Sequence, residues 1–165
     1  ELTLERFLDK GFYYLLTASV FESKYKGSDQ VWRNTAFNNN YVFNILGGKE
    51  IKINNHTSFG ADTKIAIAGG QRYTPFDFAA SNSAGYVLFK ENEAYSLQND
   101  VYLRWDFKFS YTRNGKRATQ KWYVDLQNLT NRENVYIRTL NPKSSTTGRI
   151  NQIGFFPNIN YSITF

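Results

Sequence analysis

The chain closes on Gln152 to Phe165, QIGFFPNINYSITF. In extended backbone successive side chains point to opposite faces, so Ile153, Phe155, Pro157, Ile159, Tyr161, Ile163 and Phe165 share one face. Gln152, Gly154, Phe156, Asn158, Asn160, Ser162 and Thr164 share the other. One face is apolar and the other mostly amide and hydroxyl. A tilted strand crosses the hydrocarbon layer of a membrane in about 9–11 residues. The last residues of a soluble domain usually fray in water, whereas this alternation runs to the final residue. The stretch reads as the closing strand of an outer-membrane β-barrel. A terminal strand of a soluble β-sandwich is the competing reading.

Composition favours the first. Aromatic residues make up 18% of the chain, yet mean hydropathy is −0.53. Barrels that turn rings to lipid and polar groups to the lumen combine these properties. There is no cysteine, which removes disulfides and thiolate metal sites from consideration. No apolar run reaches the 18 residues of a spanning helix, and no basic leader precedes an apolar core. The chain starts at Glu1 and reads as a processed or excised piece of something longer. Its net charge of +6 comes from Lys and Arg scattered along the chain rather than from a dense run, so nucleic acid is not an expected partner.

Working through the chain in the same way, Glu1 to Lys10 suits neither a good helix nor a clean strand and reads as the tail of a preceding element and a turn. Strands are predicted over Phe12 to Ser23, Phe37 to Leu46 (ended by Gly47-Gly48), Thr57 to Ala68, Asp100 to Thr112, Thr119 to Leu129, and the terminal stretch. The fourth is the most regular, with Val101, Leu103, Trp105, Phe107, Phe109 and Tyr111 against Asp100, Tyr102, Arg104, Asp106, Lys108 and Ser110. A slip of one residue there would place Arg104 and Lys108 in lipid, at about 2–4 kcal/mol each near the midplane. Asn128 and Leu129 break the alternation of the fifth strand, which points to a bulge or a strand end at a rim.

The connections carry independent information. Those after the first, third and fifth strands are long (Lys24 to Asn34, Gly69 to Gln98, Asn131 to Arg149); those around Asn54-Asn55-His56 and Asn114-Gly115 are short. Outer-membrane barrels alternate short periplasmic turns with long external loops in this way. Six strands cannot close a single-chain barrel, which starts at eight, and an open edge in lipid leaves backbone groups unsatisfied. The predicted fold is therefore all-β, six antiparallel transmembrane strands forming the C-terminal part of a larger barrel.

Several stretches resemble the C-terminal third of the barrel in TonB-dependent outer-membrane receptors of the Bacteroidetes type. They are GFYYLLTASVFESKYKGSD with WRNTAFNNNYVFNILGGKE at 11–50, AGGQRYTPFD at 68–77, VYLRWDFKFSY at 101–111, VDLQNLTNRENVY at 124–136 and QIGFFPNINYSITF. The resemblance implies a 22-stranded barrel around a plug, the last six strands being these. It implies uptake of a nutrient energised through TonB, with no chemical change, in the bacterial outer membrane. Outer-membrane lipid and lipopolysaccharide, the rest of the barrel and plug, the TonB complex reached through the plug, and a surface lipoprotein are the partners it implies. Tyr161, Ile163 and Phe165 match the signal read by the outer-membrane assembly machinery. Two other functions stay open: a truncated barrel piece that is a client of that machinery, and a soluble carbohydrate-binding β-sandwich.

Nothing in the sequence points to catalysis or to a cofactor. The sole histidine, His56, falls in a short turn, and hydrolytic barrels use such a base beside a nucleophile. Asp106 and Asp125 lie near Lys108 and Lys121, and Asp62 near Lys64, as ordinary ion pairs would. No metal-ligand spacing occurs. Ligand contacts are expected from the long loops: Trp32 and Arg33 in the first, with Tyr25 and Asp29, and Arg72, Tyr73, Tyr86, Phe89 and Tyr95 in the second, with Phe76 and Asp77. For Asp29 to Arg33 and Arg72 to Pro75 the alternative role is to hold the loops over the rim.

Overall fold

Period-two alternation becomes one sheet. The computed structural model describes all 165 residues. In chain order its strands are β1 (Leu2–Asp9), β2 (Phe12–Val20), β3 (Lys24–Lys26), β4 (Trp32–Asn34), β5 (Tyr41–Asn54), β6 (Thr57–Ala68), β7 (Arg72–Tyr73), β8 (Leu97–Gln98), β9 (Tyr102–Asn114), β10 (Thr119–Gln127), β11 (Val135–Asn141), β12 (Thr146–Asn151) and β13 (Phe156–Thr164). One helix, α1 (Phe78–Ala84), lies between β7 and β8. The fold is all-β. Seven strands make an antiparallel sheet in the order β1-β2-β5-β6-β9-β10-β13, open at β1 and β13. The other six strands pair in twos outside it: β3 with β4, β7 with β8, β11 with β12.

The main sheet has seven strands where the sequence pattern predicts six. The additional one is β1, where the sequence predicts a tail and a turn. Leu2, Leu4 and Arg6 pair with Ala18, Leu16 and Tyr14, but the register shifts between Arg6 and Asp9. That irregularity breaks the alternation which identifies a strand in sequence. The second predicted strand is also corrected. Gly47-Gly48 lies in the middle of β5, which runs on to Asn54, and β5 starts at Tyr41 rather than Phe37. A glycine pair need not end a strand when a neighbouring side chain covers it, and the ring of Tyr13 does so here: a Cβ at Gly48 would lie 2.7 Å from Tyr13 Cζ. β6 has the predicted limits, while β2 and β10 stop three and two residues short of theirs. β9 is displaced by two residues at each end, and β13 covers only Phe156–Thr164 of the terminal stretch.

All three short connections, Lys10-Gly11, Asn55-His56 and the Asn114-Gly115 turn, lie at one end of the sheet, as does the end of β13. The three long connections lie at the other end. Each holds ordered elements that the sequence pattern did not reveal, namely β3 with β4, then β7, α1 and β8, then β11 with β12.

The pairing register sorts the side chains. One face carries Leu2 and Leu4, then Phe12, Leu16, Phe43, Ile45, Phe59, Ile65, Ile67, Leu103, Trp105, Phe107, Phe109, Trp122, Val124, Leu126, Ile159, Tyr161 and Ile163. Four rings join across strands on this face, with centroids 5.0 Å apart from Phe59 to Tyr111, 5.4 Å from Tyr111 to Trp122 and 5.1 Å from Trp122 to Tyr161. The other face carries Thr17, Asn44, Asp62, Lys64, Arg104, Asp106, Lys108, Lys121, Asp125, Asn158 and Asn160.

Neither face is covered. Only nine residues of 165 are buried, and the buried hydrophobic ones are Phe76 and Leu140, both in the long connections. A compact soluble chain of 19.2 kDa exposes about 8,400 Å² by size scaling. This one exposes 11342 Å², and Phe109 and Ile159 on the apolar face are 53% and 79% exposed. The apolar face thus has no cover from within the chain.

Candidate functional site

The long connections form a single hydrogen-bonded cap over one end of the sheet. Asn38 is its hub at 1% exposure. Its Oδ1 accepts from Ser23 N at 3.0 Å, its Nδ2 donates to Asn34 Oδ1 at 2.8 Å, and its carbonyl accepts from Arg72 Nε at 2.9 Å. Arg72 also donates to Asn40 Oδ1 at 3.2 Å, so it ties the second connection to the first. Gly69 and Gly70 allow this approach, since a Cβ on either would collide with the carbonyl of Asn39 or Asn99. Asn38→Ala removes the hub and leaves buried partners unsatisfied, at about 1–3 kcal/mol. The expected result is tryptic cleavage at Lys24 and Lys26 faster by about tenfold, the ratio that about 1.4 kcal/mol represents.

Arg33 also acts within the cap. It bonds Asp29 twice, at 2.6 and 2.9 Å, across the β3–β4 hairpin. The Arg33 hydrogen bond, helped by Val31 N donating to Asp29 at 3.1 Å, holds the Asp29 carboxyl below the ordinary carboxylate value. A depressed pKa stabilises the hairpin above the unfolded value, and that contribution disappears as pH falls through the folded one. Amide protection of Val31 is therefore expected to hold at neutral pH and to fall only below the ordinary carboxylate range. Asp29→Asn should remove the dependence; if the variant keeps it, another group is responsible.

The remaining predicted residues divide by position. Tyr73 carries Arg138 over its ring at 4.5 Å, and Arg138 Nε donates to Asn99 at 2.6 Å, which fastens the third connection. Phe89 stacks on the buried Phe76 at 5.3 Å. The Tyr95 amide donates to Thr74 Oγ1 at 3.2 Å. Asp77 caps α1 by accepting from Ala80 N, and the Ser81 hydroxyl bonds Leu88 on both its amide and carbonyl. Trp32 and Tyr86 stay exposed at 65% and 62%. Of the seven residues expected to touch ligand, five thus have partners inside the cap, and the seven do not converge on one cavity.

Two cavities adjoin the cap, and none of the seven residues lines either. The larger, about 480 Å³, opens between the polar face and the β11–β12 hairpin, with Arg104, Gln127, Asn128, Asn134, Tyr136 and Asn151 in its wall. A second, about 330 Å³, includes Asn39, Gln71, Asn99, Tyr102 and Gln152. Arg104 donates to Asp106 at 2.8 Å and to Gln127 at 2.9 Å, so its charge is compensated. Asn128 closes β10 with φ 52° and donates to the carbonyls of Arg132 and Ile153. Asn134 exchanges two hydrogen bonds with the backbone of Leu103, replacing a strand neighbour there. The Oδ1 atoms of Asn39 and Asn151 accept no hydrogen bond. These walls offer amide donors and acceptors beside a ring, which suits an uncharged polar ligand. The signal available in sequence was the density of Asn and Gln from Gln127 to Gln152.

On the polar face the expected ion pairs change partners. Asp62 bonds Lys108 at 3.0 Å and the Tyr13 hydroxyl at 2.7 Å, instead of Lys64. Asp106 pairs with Arg104, and Asp125 accepts from Gln127 at 2.8 Å, rather than either meeting Lys108 or Lys121. Cross-strand register places Lys108 between Asp62 and Asp125, and it bonds Asp62, whereas Asp106 and Asp125 bond neighbours two residues along their own strands. Tyr161, Ile163 and Phe165 stand exposed at the β13 edge, with Tyr161 against Trp122. Comparison with protein-family models, with curated proteins and with solved structures finds no match.

Proposed function

We propose that the chain is the C-terminal section of an outer-membrane β-barrel of the TonB-dependent receptor type, part of a wall through which a nutrient is imported without chemical change. The observation that carries this is the two-sided sheet. A broad apolar face has no cover from the chain, while the opposite face holds charges and amides, the distribution that lipid on one side and an aqueous lumen on the other require. A sandwich would cover the apolar face with a second sheet. The segregation of long and short connections to opposite ends adds support, and the cap with its amide-walled cavities then faces outward as the ligand entrance.

Strand direction bears on how the sheet closes. β1 and β13 both run from the long-connection end to the short-turn end. Two copies in the same orientation would therefore meet in a parallel seam, whereas an odd number of further strands closes it antiparallel throughout. This favours completion by the rest of one barrel over closure by a second copy.

The test is to dilute the 165-residue chain from urea into plain buffer, detergent and phosphatidylcholine vesicles, and to read strand content, heat-modifiable gel mobility and mass. The expected result is strand content only with detergent or lipid, in species larger than a monomer because the edges remain open. A cooperatively folding monomer in plain buffer would sink the membrane reading and leave the soluble sandwich.

A further inference from the structure

The charge of this chain is unevenly placed. The short-turn end, comprising Asp9-Lys10, Lys49 to Lys52 and Arg113 to Lys121, holds seven basic residues and two acidic ones. That surplus of five is most of the formal net charge of +6. On the apolar face itself the register places four charged residues, Arg6, Asp9, Lys49 and Arg113. Asp9 is bonded to Arg6 at 2.8 Å. Lys49 and Arg113 are exposed and have no acidic partner. Lys49 lies opposite Phe12, the first residue of β2, and Arg113 opposite Thr57, the first residue of β6. Arg113 therefore stands at the rim, as do Lys116 and Arg117 in the adjoining turn, while Lys49 stands where the β2–β5 ladder ends, with β5 and β6 pairing on beyond it.

The row of rings from Phe59 to Tyr161 runs across this same end. Aromatic rings beside Lys and Arg that reach outward from an apolar surface suit the headgroup level of a membrane, where the rings sit among glycerol groups and the cations meet phosphates. From this we infer that Lys49, Arg113 and Arg117 form a cationic collar that binds the anionic phospholipid headgroups of the leaflet on the short-turn side. The inference rests on the membrane reading above and adds a lipid preference and an orientation to it. The long-connection end has cations too, but they are matched by acids such as Asp29 and Glu93, so the attraction is confined to one rim.

The test compares flotation of the 165-residue chain with vesicles of phosphatidylcholine alone and with vesicles containing phosphatidylglycerol. Wild type is expected to prefer the anionic vesicles, and the preference should shrink as sodium chloride rises. Each cation near an anionic surface contributes about fivefold, so Lys49→Gln with Arg113→Gln and Arg117→Gln should lower the preference by about 100-fold. A control carrying Lys24→Gln, Lys26→Gln and Lys143→Gln, an equal loss of charge at the other end, should retain it. Equal binding of wild type to both vesicles, or an unchanged preference in the rim variant, overturns the collar and leaves the membrane reading standing. Binding to neither vesicle overturns both.

Discussion

Phe107→Lys is expected to cost about 2–4 kcal/mol in lipid from the charge alone, and more once the lost ring is counted. Phe107 sits in the interior of the sheet, between Thr63 of β6 and Leu126 of β10, with Phe109 at 4.6 Å between ring centroids. On its β6 side the ladder continues five pairs toward the long connections and six toward the short turns, so a lysine there places its ammonium group against apolar neighbours. Asn160→Lys is the comparison, because Asn160 lies on the polar face opposite Tyr123. That change is expected to stay within about 0.5 kcal/mol. Heat-modifiable mobility after refolding into phosphatidylcholine vesicles reads both, and the first variant should lose at least about 30-fold in folded yield relative to unfolded chain. Equal losses at the two positions would mean that the faces do not see different solvents, and the two-sided reading would go.

The second large effect concerns two adjacent glycines. Gly48 is buried beneath the Tyr13 ring, and a Cβ there would meet Tyr13 Cε1 at 2.5 Å and crowd the Asp62 carboxylate. Gly48→Val therefore displaces the ring and breaks the 2.7 Å hydrogen bond from Tyr13 to Asp62. About 3 kcal/mol is expected, from overpacking and from a polar pair left unmade. Gly47 faces the other way. A Cβ there meets Tyr13 O at 3.5 Å, an ordinary contact, so Gly47→Val should be neutral or stabilising as a β-branched residue on the apolar face. Tyr13→Phe should cost about 1–2 kcal/mol, since Asp62 keeps Lys108. The ranking Gly48, Tyr13, Gly47 is read from urea midpoints under one lipid condition. Similar losses at the two glycines would show that the Tyr13 bridge does not organise this part of the sheet.

Of the candidate site, little was legible. Arg33 and Arg72 were open to either role in sequence, ligand contact or holding the loops, and the bonds to Asp29, Asn38 and Asn40 assign them to the cap. The cavity walls draw on Arg104 in β9, Gln127 at the end of β10 and Asn151 in β12. Residues so far apart in the chain share no local pattern, so only the docking of the β11–β12 hairpin brings them together.

Sequence alone determined what depends on period two. The limits of β6, the apolar and polar faces of β9, the break at Asn128 and the parity of connection length all follow from how neighbouring side chains alternate. Tertiary structure decided what depends on register. A shift between Arg6 and Asp9 hid β1, a ring from the next strand carried β5 through Gly47-Gly48, and Lys108 rather than Lys64 became the partner of Asp62. Alternation is local and is written within a strand, whereas the residue opposite a given position is chosen by pairing between segments far apart in sequence.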